Sequence, residues 1–194
     1  VLATGNRGKL RELLDLLGPH GVAIVPQAEF GIEPPPETGA SFEENALIKA
    51  RNAARIAGLP AIADDSGIEA DALHGAPGVH SARYAGEHAT DADNVNKLRA
   101  ALRAVPTSAR SARYRCVIAF VRAADDPDPV MAHGVWEGRL IDTPLGDGGF
   151  GYDPIFVPEG ETLTVAQLPA DRKNSHSHRG QALRALLRAL LALR

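Results

Sequence analysis

The opening run "VLATGNRGKLRELLDLLG" constrains the fold more than any other stretch. Residues 1–4 are apolar and strand-like. Leu10, Leu13, Leu14 and Leu17 then repeat at i, i+3, i+4 and i+7, which is one face of a helix over Arg7–Leu17. Gly18-Pro19 ends that helix, and residues 22–25 read as a second strand. A strand, a helix and a strand in succession predict an α/β sheet. The turn between strand and helix raises a question of charge. Arg7 and Lys9 fall in the first helical turn, where the helix dipole disfavours cations by roughly 0.3–1 kcal/mol each.

The rest of the chain extends the same pattern. Ser41 and Glu44 are spaced as a capping box for an Ala-rich helix running to about Ala57, with Gly58 and Pro60 stopping it. "PAIADDSGIEADAL" reads as a strand, a tight Ser66-Gly67 turn and a second short strand, and "GAPGVHSARYAGEHAT" as a loop. Asp91 to Leu102 is helical. Residues 113–120 alternate as a strand, "ADDPDP" turns the chain, and Val130–Leu140 returns as an antiparallel hairpin partner. "LGDGGFGYDP" is a Gly-rich loop, and residues 179–193 form a Leu-rich amphipathic helix. The expected architecture is a long mixed central β-sheet flanked by helices. A length of 194 residues fits one large domain or two small lobes.

Composition excludes several classes. A net charge of −3 argues against a general nucleic-acid or membrane-surface binder. A single cysteine, Cys116, excludes an internal disulfide framework and any multi-Cys zinc site. Its strand-like surroundings, "RYRCVIAFV", mark it as a small core residue. No apolar run reaches the ~18 residues of a membrane span. No secretory signal is visible, so the cytoplasm is the expected location.

Four segments are candidates for chemistry. The Thr4–Lys9 turn feeds a helix N-terminus, where backbone N–H groups bind anions. It is not a Walker loop: the first glycine slot holds Ala3, and Leu10 stands where Ser or Thr is needed. An ordinary β-α turn with Asn6 as N-cap is the competing reading. Next, Asp64 and Asp65 follow Ala61-Ile62-Ala63, at the end of a strand. Adjacent side chains on a strand face opposite sides, so one carboxylate is expected in a given cleft. With Glu37 on the Pro-rich connection, and Glu43 and Glu44 opening the next helix, these hard oxygen donors suit Mg²⁺. Turn chemistry explains Asp64-Asp65-Ser66-Gly67 equally well. In "GGFGYDP", the glycines allow close backbone approach to a ligand, Phe150 and Tyr152 offer stacking faces, and Asp153 offers an acceptor. A packed Gly-rich hairpin loop is the alternative. Finally, Lys173, His176, His178 and Arg179 gather before the terminal helix. His176 and His178 lack further ligands at zinc spacing.

Together these segments resemble one family. Thr4-Gly5-Asn6-x-Gly8-Lys9, "ETGASFEENALIKA", "AIADDSG", "GGFGYDPIF" and "SHRGQAL" stand in the order found in the inosine triphosphate pyrophosphatase family, and "GAPGVHSARYAG" is similar to its bacterial branch. The resemblance covers the chain from end to end. It implies hydrolysis of ITP, dITP and XTP to the monophosphate and pyrophosphate with Mg²⁺. It also implies a single two-lobed domain over residues 1–194, an active-site cleft between the lobes and a homodimer. By the same resemblance, Asp65 is the catalytic carboxylate and a metal ligand, with Glu37 as the second acidic contact. Thr4, Gly5, Asn6, Arg7, Gly8, Lys9 and Lys49 contact the triphosphate. Ser66, Phe150, Gly151, Tyr152, Asp153, Lys173, His178 and Arg179 contact the base and sugar.

The chemistry is consistent with that division. Lys9, Lys49 and Mg²⁺ would compensate charge as it builds on the transferring phosphoryl group. A buried donor from His178, Arg179 or Lys173 pairs with the 6-oxo group of hypoxanthine or xanthine and is left unpaired by the amino group of adenine, at about 1–3 kcal/mol. The alternatives are a related pyrophosphatase for other modified nucleotides and a non-catalytic nucleotide-binding protein.

Overall fold

A computed structural model describes residues 1–18 and 23–192 of the chain. Among these residues five strands form one sheet in the order β1-β2-β3-β4-β5: Leu2–Ala3, Ala61–Ala70, Ser111–Val121, Val130–Leu140 and Phe156–Pro158. β1 pairs with β2 in parallel, Leu2 opposite Ile62, and β4 pairs with β5 antiparallel, Arg139 opposite Val157. The sheet is therefore mixed, as expected. Among the described residues five α-helices accompany it: α1 Arg7–Leu17, α2 Phe42–Ala57, α3 Asp91–Ala101, α4 Ala170–His176 and α5 His178–Ala192. Among the described residues, no helix is long and apolar enough to cross a membrane.

The chain divides into two compact units. The first comprises Val1–Asp65, Cys116–Gly134 and Arg179–Arg194. In its core Leu13 and Leu17 of α1 meet Leu2, Ile62, Cys116, Ile118 and, from α5, Leu183 and Leu186. The leucine stripe of α1 is thus its packing face. α2 buries Phe42, Asn45, Ala46, Lys49, Ala50, Ala53 and Ala54, a face of mostly small residues that lets the helix lie close to β1. Its N-cap is Ser41, whose hydroxyl accepts from Glu44 N at 3.2 Å, and its C-cap Gly58 is left-handed at φ +65°. The second unit comprises Ser66–Arg115 and Val135–His178. Ile68, Leu98, Tyr114, Trp136, Leu140, Tyr152, Ile155 and Phe156 lie in its core. There Phe156 meets Tyr114 edge-on at 4.7 Å and Trp136 at 6.1 Å between ring centroids.

Three expectations are corrected. Val22 lies outside the described residues, and residues 23–25 form no strand. The backbone meets β1 where Leu2 N donates to Val25 O at 2.9 Å and in an isolated parallel bridge from Leu2 to Pro26. Pro26 has no N–H with which to extend a ladder. Second, there is no turn at Ser66-Gly67: β2 runs unbroken through both residues. Asp64 and Asp65 therefore sit in mid-strand rather than at a strand end. Gly67 serves close approach instead. A Cβ there would lie 2.4 Å from both Gly78 O and Ser81 Oγ. Ser81 Oγ itself accepts from Ile68 N at 2.9 Å and donates to Gly78 O at 2.6 Å. Third, the loop after residue 75 holds a 3₁₀ segment, Gly78–Arg83, which supplies that hydroxyl.

Gly67→Ala should destabilise the protein by about 1–3 kcal/mol, because the new methyl overpacks against backbone that cannot swing away. Urea denaturation of the two proteins measures this as a lowered midpoint at unchanged m-value.

Candidate active site

The first unit gathers charge around β2. Asn6 caps α1: its side-chain oxygen accepts from Gly8 N at 2.8 Å and Lys9 N at 3.0 Å. Thr4 Oγ1 accepts from Asn6 N at 3.2 Å. Two of the amides expected to cradle an anion are thus engaged by the cap, and Gly5 and Arg7 flank it. The cation of the turn that reaches inward is Lys9, whose Nζ lies 3.1 Å from Asp64 Oδ2. Arg7 is exposed. From the other side of the chain, α2 aims Lys49 off its buried alanine face. Its ammonium donates to Asp65 Oδ1 at 2.8 Å and to Glu37 Oε1 at 3.1 Å. Asn45, one turn earlier, accepts from Gly39 N at 2.8 Å and so ties the segment carrying Glu37 to the helix.

Arg179 is the largest fully buried side chain. Its guanidinium donates to Asp64 Oδ2 at 3.2 Å and pairs with Glu12 of α1. This places the sequence-predicted base contact in the first unit, paired with carboxylates. The difference between the three cations is accessibility: the side chains of Lys9 and Lys49 remain 14 % and 10 % exposed, that of Arg179 only 1 %. Glu12 was not singled out from sequence. Its signal was its place one turn from Lys9, on the same helical face.

Adjacent carboxylates are driven in opposite directions. Burial opposes ionisation of Asp64, but Lys9, Arg179 and Lys49 outweigh it and hold the group well below the usual carboxylate range. Burial also raises Asp65, and Lys49 and Lys9 do not fully offset it while Glu37 adds to it. Burial pushes Lys49 down, but Asp65, Asp64 and Glu37 more than reverse this, so it is held protonated. Asp64 is the fixed charge and Asp65 the more basic carboxylate, a separation by environment alone. Cys116, 4.0 Å from Asp64 Oδ2, is pushed up to about 12 by burial and that charge, and belongs to the core as expected.

Asp65 Oδ2 is buried and meets no hydrogen-bond partner among the described residues. With Glu37 converging on the same lysine, two hard oxygen donors are available to a divalent cation. No group of three or more His, Cys, Asp or Glu is arranged for a metal among the described residues. Two carboxylates match an ion such as Mg²⁺, which completes its shell with water and substrate oxygens.

The second unit is organised by Asp153. Its Oδ1 accepts from Tyr114 Oη at 3.0 Å, and its Oδ2 from Lys173 Nζ at 2.6 Å and Phe150 N at 2.9 Å. Gly149 must be glycine here: a Cβ would fall 2.0 Å from Asp153 Oδ2, and φ is +73°. The Lys173 ammonium lies 4.7 Å from the Phe150 ring centroid. Gly151 N donates to Asp91 Oδ2 at 2.7 Å. His178 stacks on Tyr114, centroids 4.6 Å apart and planes 9° from parallel. Tyr152 offers no stacking face. Its ring belongs to the core and its hydroxyl donates to Ser81 O at 2.8 Å, with burial pushing the phenol up. His176 turns to Ser175 Oγ at 2.8 Å. Ser66 also falls in this unit. The chain joins the two groups covalently, as Asp65-Ser66 and His178-Arg179 are sequence neighbours.

One unit thus carries lysines held by strand carboxylates, and the other a Gly-rich loop with an aspartate-held lysine, on a mixed α/β sheet. The chain belongs to the Ham1 family, whose model matches residues 1–189. It is 57 % identical over 191 residues to the dITP/XTP pyrophosphatase of Vibrio cholerae, covering 98 % of this chain and 95 % of that one. It is 57 % identical over 193 residues to the dITP/XTP pyrophosphatase of Methylococcus capsulatus, covering 100 % and 96 %. Among solved structures, a HAM1 protein from Coxiella burnetii superposes with a TM-score of 0.90 at 49 % identity, covering 98 % and 97 %. A nucleoside-triphosphatase, dITP/XTP pyrophosphatase, from Mycobacterium abscessus gives 0.76 at 44 % identity, covering 97 % of each chain.

Arg179→Met should destabilise the fold by about 3 kcal/mol or more, because it leaves Glu12 and Asp64 buried with less than their compensating charge. Equilibrium urea unfolding at neutral pH gives the number.

Proposed function

We propose that this Ham1-family protein hydrolyses dITP, ITP and XTP to the nucleoside monophosphate and pyrophosphate, clearing non-standard purines from the nucleotide pool. The observation that carries the reading is the pair of lysines held by consecutive carboxylates, Lys9 on Asp64 and Lys49 on Asp65. The 57 % identity to dITP/XTP pyrophosphatases over nearly the whole chain supports the choice of substrate. Location in the cytoplasm and assembly as a homodimer belong to the same proposal.

In this reading the triphosphate lies along the Thr4–Lys9 turn. Lys9 and Lys49, the two accessible cations, turn from their carboxylates to phosphate oxygens. Glu37 and Asp65 would hold Mg²⁺, which supplies charge neutralisation on the phosphates and a lowered pKa for the attacking water. Asp65 Oδ2 accepts a proton from that water. An aspartate near ~3.9 is by itself a poor base, and the lowered pKa of the water is what would make the transfer possible. Asp64 stays ionised and holds Lys9 in place. On the second unit, Phe150 stacks on the purine, Ser66 and the Gly151–Asp153 backbone flank the sugar, and Lys173 and His178 donate toward the 6-oxo group. Arg179, bonded to Asp64 and Glu12, fixes the chain at its sequence neighbour His178.

Purified protein assayed with ITP, XTP, GTP and ATP should release pyrophosphate, with ATP turned over at least about tenfold less efficiently than ITP. Equal turnover of all four, or release of orthophosphate, overturns the reading.

Asp65→Asn should lower kcat by about 10²–10⁴-fold with the fold intact by circular dichroism. The pH profile carries the sign of the shift. The reaction needs Asp65 deprotonated, and burial raises its pKa. The acid limb of kcat/KM should therefore set in above the ordinary aspartate value of ~3.9, as a pH–rate series will show.

A further inference from the structure

Tyr114 lies on β3, outside every motif that identifies the chain, and is 6 % exposed. It makes two contacts to groups assigned above to the purine end. Its ring lies parallel to His178 with centroids 4.6 Å apart, and its hydroxyl donates to Asp153 Oδ1 at 3.0 Å. Asp153 in turn holds Lys173 Nζ and Phe150 N on its other oxygen. Tyr114 also packs against Phe156, centroids 4.7 Å apart and rings 67° from parallel, and Phe156 is fully buried. One side chain, anchored in the core, thus sets the plane of an imidazole and the position of a carboxylate that holds an ammonium and a backbone amide.

We propose that Tyr114 is a positioning residue for purine selection: it orients His178 by stacking and, through Asp153, fixes Lys173 and the Phe150 backbone. This rests on the reading that the second unit receives the base. The tyrosine need not touch the substrate. A stacked imidazole cannot tilt without losing face contact, so its ring nitrogens keep fixed directions. A carboxylate held on one oxygen by a phenol cannot rotate to follow the lysine. Both constraints sharpen the difference between a 6-oxo acceptor and a 6-amino group, because donors that cannot reorient are left unpaired by the wrong base.

The two contacts separate by mutation. Tyr114→Phe keeps the stack and removes the hydroxyl, and Tyr114→Leu removes both. Steady-state kinetics with ITP and ATP, and inhibition by pyrophosphate, are measured for both variants and the unaltered protein. Tyr114→Phe should raise KM for ITP by about 3–10-fold at little change in kcat, from the lost bond to a charged acceptor. Tyr114→Leu should raise it by about 10-fold or more and narrow the ITP-to-ATP ratio of kcat/KM, as the stack is lost too. The inhibition constant of pyrophosphate, which engages the first unit alone, should not move in either.

Wild-type KM and wild-type ITP-to-ATP ratio in a folded Tyr114→Phe protein would overturn the proposal. So would a parallel loss in KM, kcat and pyrophosphate inhibition, the mark of general loosening. Should Tyr114→Leu fail to fold, Tyr114→Phe alone decides by the same KM and inhibition criteria. If the unaltered protein does not prefer ITP to ATP, the functional reading itself fails. If it does and the variants match it, only the role of Tyr114 fails.

Discussion

Two consecutive carboxylates buried in the middle of one strand are the constraint on which the first unit depends. Neighbouring strand residues point to opposite faces, so Asp64 and Asp65 can both be buried only if both faces of β2 are covered. Removing a carboxylate from water costs several kcal/mol even after relaxation. The compensation comes from three helices: Lys9 of α1 and Arg179 of α5 on Asp64, and Lys49 of α2 on Asp65. Apolar packing would tolerate small shifts of these helices. Charge pairs at 2.8–3.2 Å tolerate far less. The alanine face of α2 fits this account, since small side chains let the helix approach closely enough for Lys49 to reach the strand.

The same pairs divide the cations by task. Arg179 is sealed among its partners and neutralises charge permanently. Lys9 and Lys49 keep some exposure, so each can exchange a carboxylate for another anion without moving its helix. An anion that takes a lysine leaves a carboxylate with less compensation, which a divalent cation supplies. In the proposed function, polyphosphate and metal would then favour each other's binding, through charges already in place before either arrives.

Periodicity made the helices legible: the leucine stripe of α1, the Ser41 cap of α2 and the Leu-rich α5 stand where the sequence puts them. The charge puzzle of the opening turn is resolved by tertiary structure, as Lys9 pays for its unfavourable place on the dipole by neutralising Asp64. What was not legible depends on contacts between distant segments. Ser66-Gly67 carries turn chemistry, yet Gly67 is in a strand because Ser81, fourteen residues on, needs the space of its missing side chain. Residues 23–25 are apolar, but β1 beside them is two residues long and Pro26 cannot continue a ladder. The candidate site residues stood out through charge and glycine content. Their partners did not: Glu12 reads as a solvated helix residue and Tyr114 as one position in an alternating strand. Tyr152 shows the converse, an aromatic in a conspicuous loop that turns out to serve the core.

Both units use one device, a buried aspartate that holds a lysine ammonium. Asp64 holds Lys9, and Asp153 holds Lys173. A free lysine loses up to about 2 kcal/mol of rotamer entropy when it is ordered by a ligand, and a lysine already fixed does not lose it again. If Lys9 receives phosphate as proposed, the gain is affinity for charge wherever it is placed. At the purine end the consequence is different. A mobile ammonium would swing to water when faced with an amino group and so forgive it. An ammonium held at 2.6 Å by Asp153, with its carboxylate fixed in turn by Tyr114 and Phe150 N, cannot do so. On that reading, the rigidity that favours phosphate binding by Lys9 is, for Lys173, what would allow an amino group to be refused.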